Sequence, residues 1–69
     1  MGNMIKLERV RYGISQKDLA DALGVSAKSV QNWEHEIASC STRNLLAMSN
    51  IFKCSTDYLV GKSKVREIR

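Results

Sequence analysis

Between Leu23 and Ser26 the chain has two positions, Gly24 and Val25, in which to end one helix and begin another. Apolar residues recur at three- and four-residue spacing on both sides: Leu19, Ala20 and Leu23 before the break, Val30 and Trp33 after it. A break this short makes specific demands. It needs a residue that tolerates left-handed backbone, which Gly24 supplies. Helices joined so tightly cross closely, so a small side chain must stand where they meet, and Ala20 sits four residues before the glycine. The second helix then has one narrow stripe, Val30 with Trp33, to pin it down, and its other side stays free.

The same spacing runs along the whole chain. With no Pro, only four Gly and no alternation long enough for a strand, the expected fold is all-α. Five helices are expected. The first covers about residues 2–12, with Met4, Ile5 and Val10 near one face, Lys6 and Arg11 outside, and Gly13 ending it. Ser15 caps the second, with Asp18 three residues on as an acidic relative of the capping box. Ser26 caps the third, over about residues 26–35. The fourth, capped by Ser41 or Thr42, carries Leu45, Leu46, Met48, Ile51 and Phe52. A short fifth begins at Ser55 with Asp57 in its first turn, buries Tyr58 and Leu59, and stops at Gly61. This organisation gives one compact domain over residues 1–61 and a basic tail over 62–69.

Composition narrows the function classes. A chain of 69 residues has little core to spare and no room for a deep, dry catalytic pocket beside it. One His without an acid–base partner, no glycine-rich phosphate loop and no ligand cluster leave no catalytic residues to name, so no enzyme is expected. Cys40 and Cys54 lie fourteen apart with only His35 as a further nitrogen ligand, which is too few for a structural zinc site. They are expected as buried or half-buried thiols, with no metal and no cofactor. No apolar run approaches a membrane span, and "MGNMIKLERV" lacks a secretory core and has Lys6 where myristoylation favours Ser or Thr. The expected location is the cytoplasm. The net charge of +4 is concentrated in the tail, where Lys62, Lys64, Arg66 and Arg69 face a single Glu67, so residues 1–61 hold only +1. Charge alone therefore supports a basic tail and little more.

Two helices joined by three or four residues with Gly in the turn make a helix-turn-helix, and phase then assigns its faces. At about 100° per residue, Lys28 lies roughly 170° from the mean direction of Val30 and Trp33, with Gln31 and Asn32 roughly 130° away on either side. Ala27 and Ser29 fall near the rim. Trp33 is thus expected as a core anchor with Val30, Ala20 and Gly24, and not as a stacking platform for a partner. Lys28 can donate to guanine O6 or N7, Asn32 can bridge adenine N6 and N7, and Ala27 can meet a thymine methyl.

The stretch "GISQKDLADALGVSAKSVQNWE", followed by "LLAMSNIFKCSTDYLVG", resembles the Cro/CI-type helix-turn-helix domain, or xenobiotic-response-element family, over about residues 4–61. The resemblance implies a five-helix, lambda-repressor-like DNA-binding domain whose third helix enters the major groove. It implies base-reading positions at Ala27, Lys28 and Asn32 and backbone contacts from Gln16, Ser26 and Arg43; helical phase adds Gln31 to the base-facing set, and Lys17 and Ser29 are expected near the backbone. It also implies a partly buried ion pair between Arg9 and Glu34. The partner implied is double-stranded DNA, bound by a homodimer on a short palindrome, and the function is that of a transcriptional regulator, a repressor. The alternative is an antitoxin or interaction module in which a protein partner comes first and DNA autoregulation second.

Two departures from the family pattern stand out. After Glu34 the family often continues Asn-Gly, a basic residue and Pro, whereas this chain reads "HEIASCST", so the 35–42 loop is expected to follow a different path. Before the ion-pair Arg the family often has Leu, and this chain has Glu8.

Overall fold

The computed structural model describes residues 3–36 and 40–62. Within them are α1 (Ile5–Arg11), α2 (Gln16–Leu23), α3 (Ala27–Glu34), α4 (Thr42–Phe52) and α5 (Thr56–Leu59), and no strand among the described residues. Serine punctuates the chain. The hydroxyls of Ser15, Ser26, Ser41 and Ser55 each accept the backbone N–H three residues on, so α2 to α5 all start on a serine cap. Such a cap contributes about 1 kcal/mol by satisfying one of the free amides of the first turn. At Ser15 the Asp18 carboxylate also reaches back to the Ser15 amide at 3.3 Å, completing a capping box.

The core is built from Ile5, Leu19, Ala20, Val30, Trp33, Met48, Phe52, Cys54 and Leu59, with Ile14, Leu23, Val25, Leu45, Ile51 and Tyr58 packed against it. Polar ties close the ends of the chain segments over that core. The Met4 amide donates to the Leu59 carbonyl at 2.8 Å, and the Tyr12 hydroxyl donates to the Phe52 carbonyl at 2.9 Å. The buried Ser49 hydroxyl donates to the Cys54 carbonyl at 2.6 Å, holding the turn after α4 in which Lys53 takes a left-handed conformation. Cys40 is half-buried and Cys54 fully buried, both as free thiols.

Three details differ from the expectations. The first helix starts at Ile5 and not near residue 2, and Val10 is 58% exposed and not on the inner face. Five residues from Ile5 to Val10 amount to about 500°, which leaves Val10 roughly 140° away from Ile5. Glu8 and Arg9, within about 60° of Ile5, take the inward direction instead, and Glu8 is fully buried. On α4, Leu46 is 55% exposed. Tyr58 is half-buried and not buried, its hydroxyl donating to the Glu8 carboxylate at 3.1 Å. The tail from residue 63 and part of the 35–42 loop, residues 37–39, lie outside the described residues.

Candidate nucleic-acid interface

The α2–α3 turn follows from its sequence. Gly24 has φ 71° and ψ 31°, the left-handed conformation that ends a helix without crowding a Cβ. The Val25 amide donates to the Ala20 carbonyl at 3.0 Å and the Gly24 amide to the Asp21 carbonyl at 3.3 Å. Those two bonds form the paired pattern that terminates a helix at a left-handed residue. Ala20 is 1% exposed at the crossing, and α3 begins immediately at the Ser26 cap.

On α3, Val30 and Trp33 are buried, at 0% and 6% exposure. Ser26, Ala27, Lys28 and Gln31 are exposed, while Ser29 and Asn32 are half-buried. The Ser26 and Ser29 hydroxyls lie 3.1 Å apart, so those two residues form one polar unit at the start of the helix. Arg43 is exposed in the first turn of α4.

A polar brace fixes the far end of α3. Glu34, the last residue of the helix, has a side chain only 2% exposed. Its carboxylate accepts from Arg9 Nε at 2.7 Å, Arg9 Nη2 at 3.3 Å and Gln16 Nε2 at 3.1 Å. Arg9 Nη1 donates to the Ile14 carbonyl at 2.9 Å. A carboxylate at the negative pole of a helix is unfavourable by itself, and the guanidinium offsets it. One cluster thus ties α1, the connection after it, the first residue of α2 and the end of α3. Gln16, the first residue of α2, has its side-chain amide donating inward to Glu34.

Lys17, one residue further, is exposed and pairs with Asp21 at 2.9 Å. The hydrogen bond to Asp21, and then its charge, raise the Lys17 pKa above the ordinary lysine value. Asn3 was not singled out in the sequence. Its Nδ2 donates to the Trp33 carbonyl at 2.7 Å and its Oδ1 accepts from the Ile5 amide at 3.1 Å, so it joins the start of α1 to the end of α3. An Asn immediately ahead of an apolar helical run was the available signal.

His35 and Glu36 follow α3, both exposed, and Glu36 has φ 58°. Glu36 thus holds a left-handed backbone without being a glycine. Among the described residues no group of three His, Cys, Asp or Glu side chains could hold a metal ion, and no helix is long and apolar enough to cross a membrane.

A family profile described as helix-turn-helix matches residues 5–59. The chain is 35% identical over 65 residues to the HTH-type transcriptional regulator ImmR of Bacillus subtilis, covering 94% of this chain and 51% of that protein. It is 37% identical over 60 residues to Repressor protein C2 of Salmonella phage P22, covering 87% of this chain and 28% of that protein. The chain thus spans about half or less of these relatives' length. The crystal structure of the P22 c2 repressor with a synthetic operator superposes with a TM-score of 0.78 at 34% identity, covering 86% of this chain and 89% of that one. The solution structure of the same repressor's DNA-binding domain gives a TM-score of 0.75 at 32% identity, covering 94% and 84%. With its turn at Gly24, its buried Val30–Trp33 stripe and its five-helix frame, the chain belongs to the Cro/CI-type helix-turn-helix family.

Proposed function

We propose that the chain is a sequence-specific DNA-binding transcriptional regulator, a repressor that occupies a short palindromic operator as a dimer and uses no enzymatic chemistry. The observation that carries this reading is the division of α3 into two sides. Val30 and Trp33 hold it to the core, the Glu34 cluster and Asn3 fix its end, and Ala27, Lys28 and Gln31 face outward. A helix held so rigidly can place base-reading groups in the major groove with no reorganisation on binding. Lys28 and Asn32 supply hydrogen bonds to base edges, Gln31 extends that surface, and Ala27 supplies apolar contact. Free amides at the starts of α2 and α4, with Gln16, Lys17, Ser26, Ser29 and Arg43, position the backbone without reading sequence. Lys17 exchanges Asp21 for phosphate in that arrangement.

Pairing of two domains supplies what a single one lacks, because the described domain carries little excess charge and one half-site binds weakly. Val60, 38% exposed, lines a groove of about 240 Å³ together with Asn3, Ile5, Trp33, Glu36, Cys40 and Leu45, and we assign the dimer seam to that end. Selection of bound sites from random duplex DNA tests the proposal. Enriched palindromes with half-sites about one helical turn apart are expected, and no enrichment refutes it. Affinity is expected to fall steeply with salt, and Lys28→Ala to relax one base position at a cost of about 1–3 kcal/mol. Specific binding that survives Lys28→Ala with Asn32→Ala unchanged would place the reading surface elsewhere.

A further inference from the structure

Helix α1 has a second face that the DNA reading does not use. Its inward arc is made by Ile5, Glu8, Arg9 and Tyr12, which lie within about 100° of one another. The outward arc runs, in angular order, Lys6, Val10, Leu7, Arg11. Leu7 and Val10 are 56% and 58% exposed, one helical turn apart, and stand at the centre of that arc. Lys6 is exposed on one flank, and the Arg11 side chain, 59% exposed, on the other. Arg11 does come within 3.7 Å of the buried Glu8, yet most of it remains in solvent. Polar surface would be expected on the outer side of a helix in a small domain. Here an apolar ridge lies between two cations.

We propose that this face of α1 docks an acidic amphipathic helix of a partner protein, whose apolar ridge meets Leu7 and Val10 while flanking Asp or Glu side chains meet Lys6 and Arg11. Charge selects the occupant. A second copy of the chain packed two-fold on this face would bring cation against cation on both flanks. Residues 63–69 hold three cations and one acid, so the chain's own tail is repelled as well. Duplex DNA matches the cations but leaves Leu7 and Val10 uncovered by anything apolar. A helix with the complementary pattern satisfies both. Because α1 meets α3 through the Arg9–Glu34 cluster on its opposite side, this contact is separate from Lys28 and Gln31.

The test is an NMR titration of the full ¹⁵N-labelled chain with a synthetic helical peptide carrying a leucine ridge flanked by glutamates. The counterpart peptide has lysine at every glutamate. The acidic peptide is expected to shift the amides from Lys6 to Arg11, and the basic peptide to leave them in place. Leu7→Ser and Lys6→Glu, both at outward positions, are each expected to weaken binding about tenfold. Circular dichroism of both variants should match the parent chain. Equal binding of both peptides, no shifts at millimolar acidic peptide, or shifts centred on Lys28 and Gln31 would each overturn the proposal. So would self-association lost in Leu7→Ser, or shifts at Leu7 and Val10 on adding duplex DNA.

Discussion

Removing Arg9 isolates the brace under α3 from everything else that holds the helix. In Arg9→Met the apolar part of the side chain is kept, and the two charge-assisted bonds to Glu34 and the bond to the Ile14 carbonyl are lost. Glu34, 2% exposed at its side chain, is left with the Gln16 amide as its one remaining donor among these contacts. Breaking a buried pair on one side costs about 3–5 kcal/mol, because the other charge stays buried. A domain of this length has a total stability of about 3–10 kcal/mol, so the substitution removes a large share of it. Trp33 is the only Trp of the chain and sits one residue before Glu34, so its fluorescence in urea reports the docking of α3 directly.

The decisive comparison adds Glu34→Leu. If the loss in Arg9→Met comes from an unpaired buried carboxylate, the double variant should recover most of it, since apolar replacement of a buried pair is often neutral or stabilising. A loss below about 1 kcal/mol in the single variant would mean that the pair behaves as a surface salt bridge. A double variant no more stable than Arg9→Met would mean that packing, and not the stranded charge, carries the effect. Either result refutes the brace as described.

Further outcomes follow from single positions. In Gly24→Ala an added Cβ meets nothing within 4 Å, so only the left-handed backbone is strained, and the urea midpoint should fall by the equivalent of about 1 kcal/mol with an unchanged slope. Glu36→Gly removes a non-glycine residue from φ 58° and should raise thermal stability by about 1 kcal/mol, measured as a shift of several degrees in Tm. Tyr58→Phe deletes a donor to the buried Glu8 carboxylate and should cost about 1–3 kcal/mol in urea unfolding. Burial pushes the Cys40 thiol from its ordinary value near 9 up to about 11. Its contribution to stability is therefore complete below pH 9 and is lost as pH rises from 9 to about 11, and Cys40→Ala should flatten the unfolding-midpoint profile in that window.

Much of this molecule was legible because its determinants are local. The serine caps and Gly24 act within three or four residues of themselves, and the Val30–Trp33 stripe follows from helical phase alone. Position 36 shows the limit of that logic. "HEIASCST" has no glycine, yet Glu36 takes a left-handed backbone with its amide donating to the Trp33 carbonyl at 3.1 Å, while residues 37–39 of the loop lie outside the described residues. A left-handed residue other than glycine runs against a local preference of about 1–2 kcal/mol, so residue type alone does not announce it.

Helix α1 was the element that hydropathy could not orient, and the reason bears on how α3 is held. Counting apolar residues puts Met4, Ile5 and Val10 together, but the inward arc holds one aliphatic side chain, Ile5, beside Glu8, Arg9 and Tyr12. Each polar member of that arc bonds to another element: Glu8 to Tyr58 of α5, Arg9 to Glu34 of α3, Tyr12 to the end of α4. Of the three, Glu8 is fully buried, Arg9 half-buried and Tyr12 43% exposed, and polar groups withdrawn from water contribute little net stability when satisfied and cost heavily when mispaired. They act on orientation, since each accepts only one placement of its partner, whereas an apolar contact tolerates sliding. Among the described residues a core of nine buried apolar side chains holds the five helices together, while the polar inner face of α1 sets where α3 and α5 sit relative to it. On the proposed DNA-binding reading, exchanging the inner polar residues for aliphatic ones is expected to leave thermal stability intact and still degrade the discrimination between operator and random DNA. Measuring the ratio of those two affinities in Arg9→Met/Glu34→Leu would separate the two roles, with an unchanged ratio showing that packing alone aims the recognition helix.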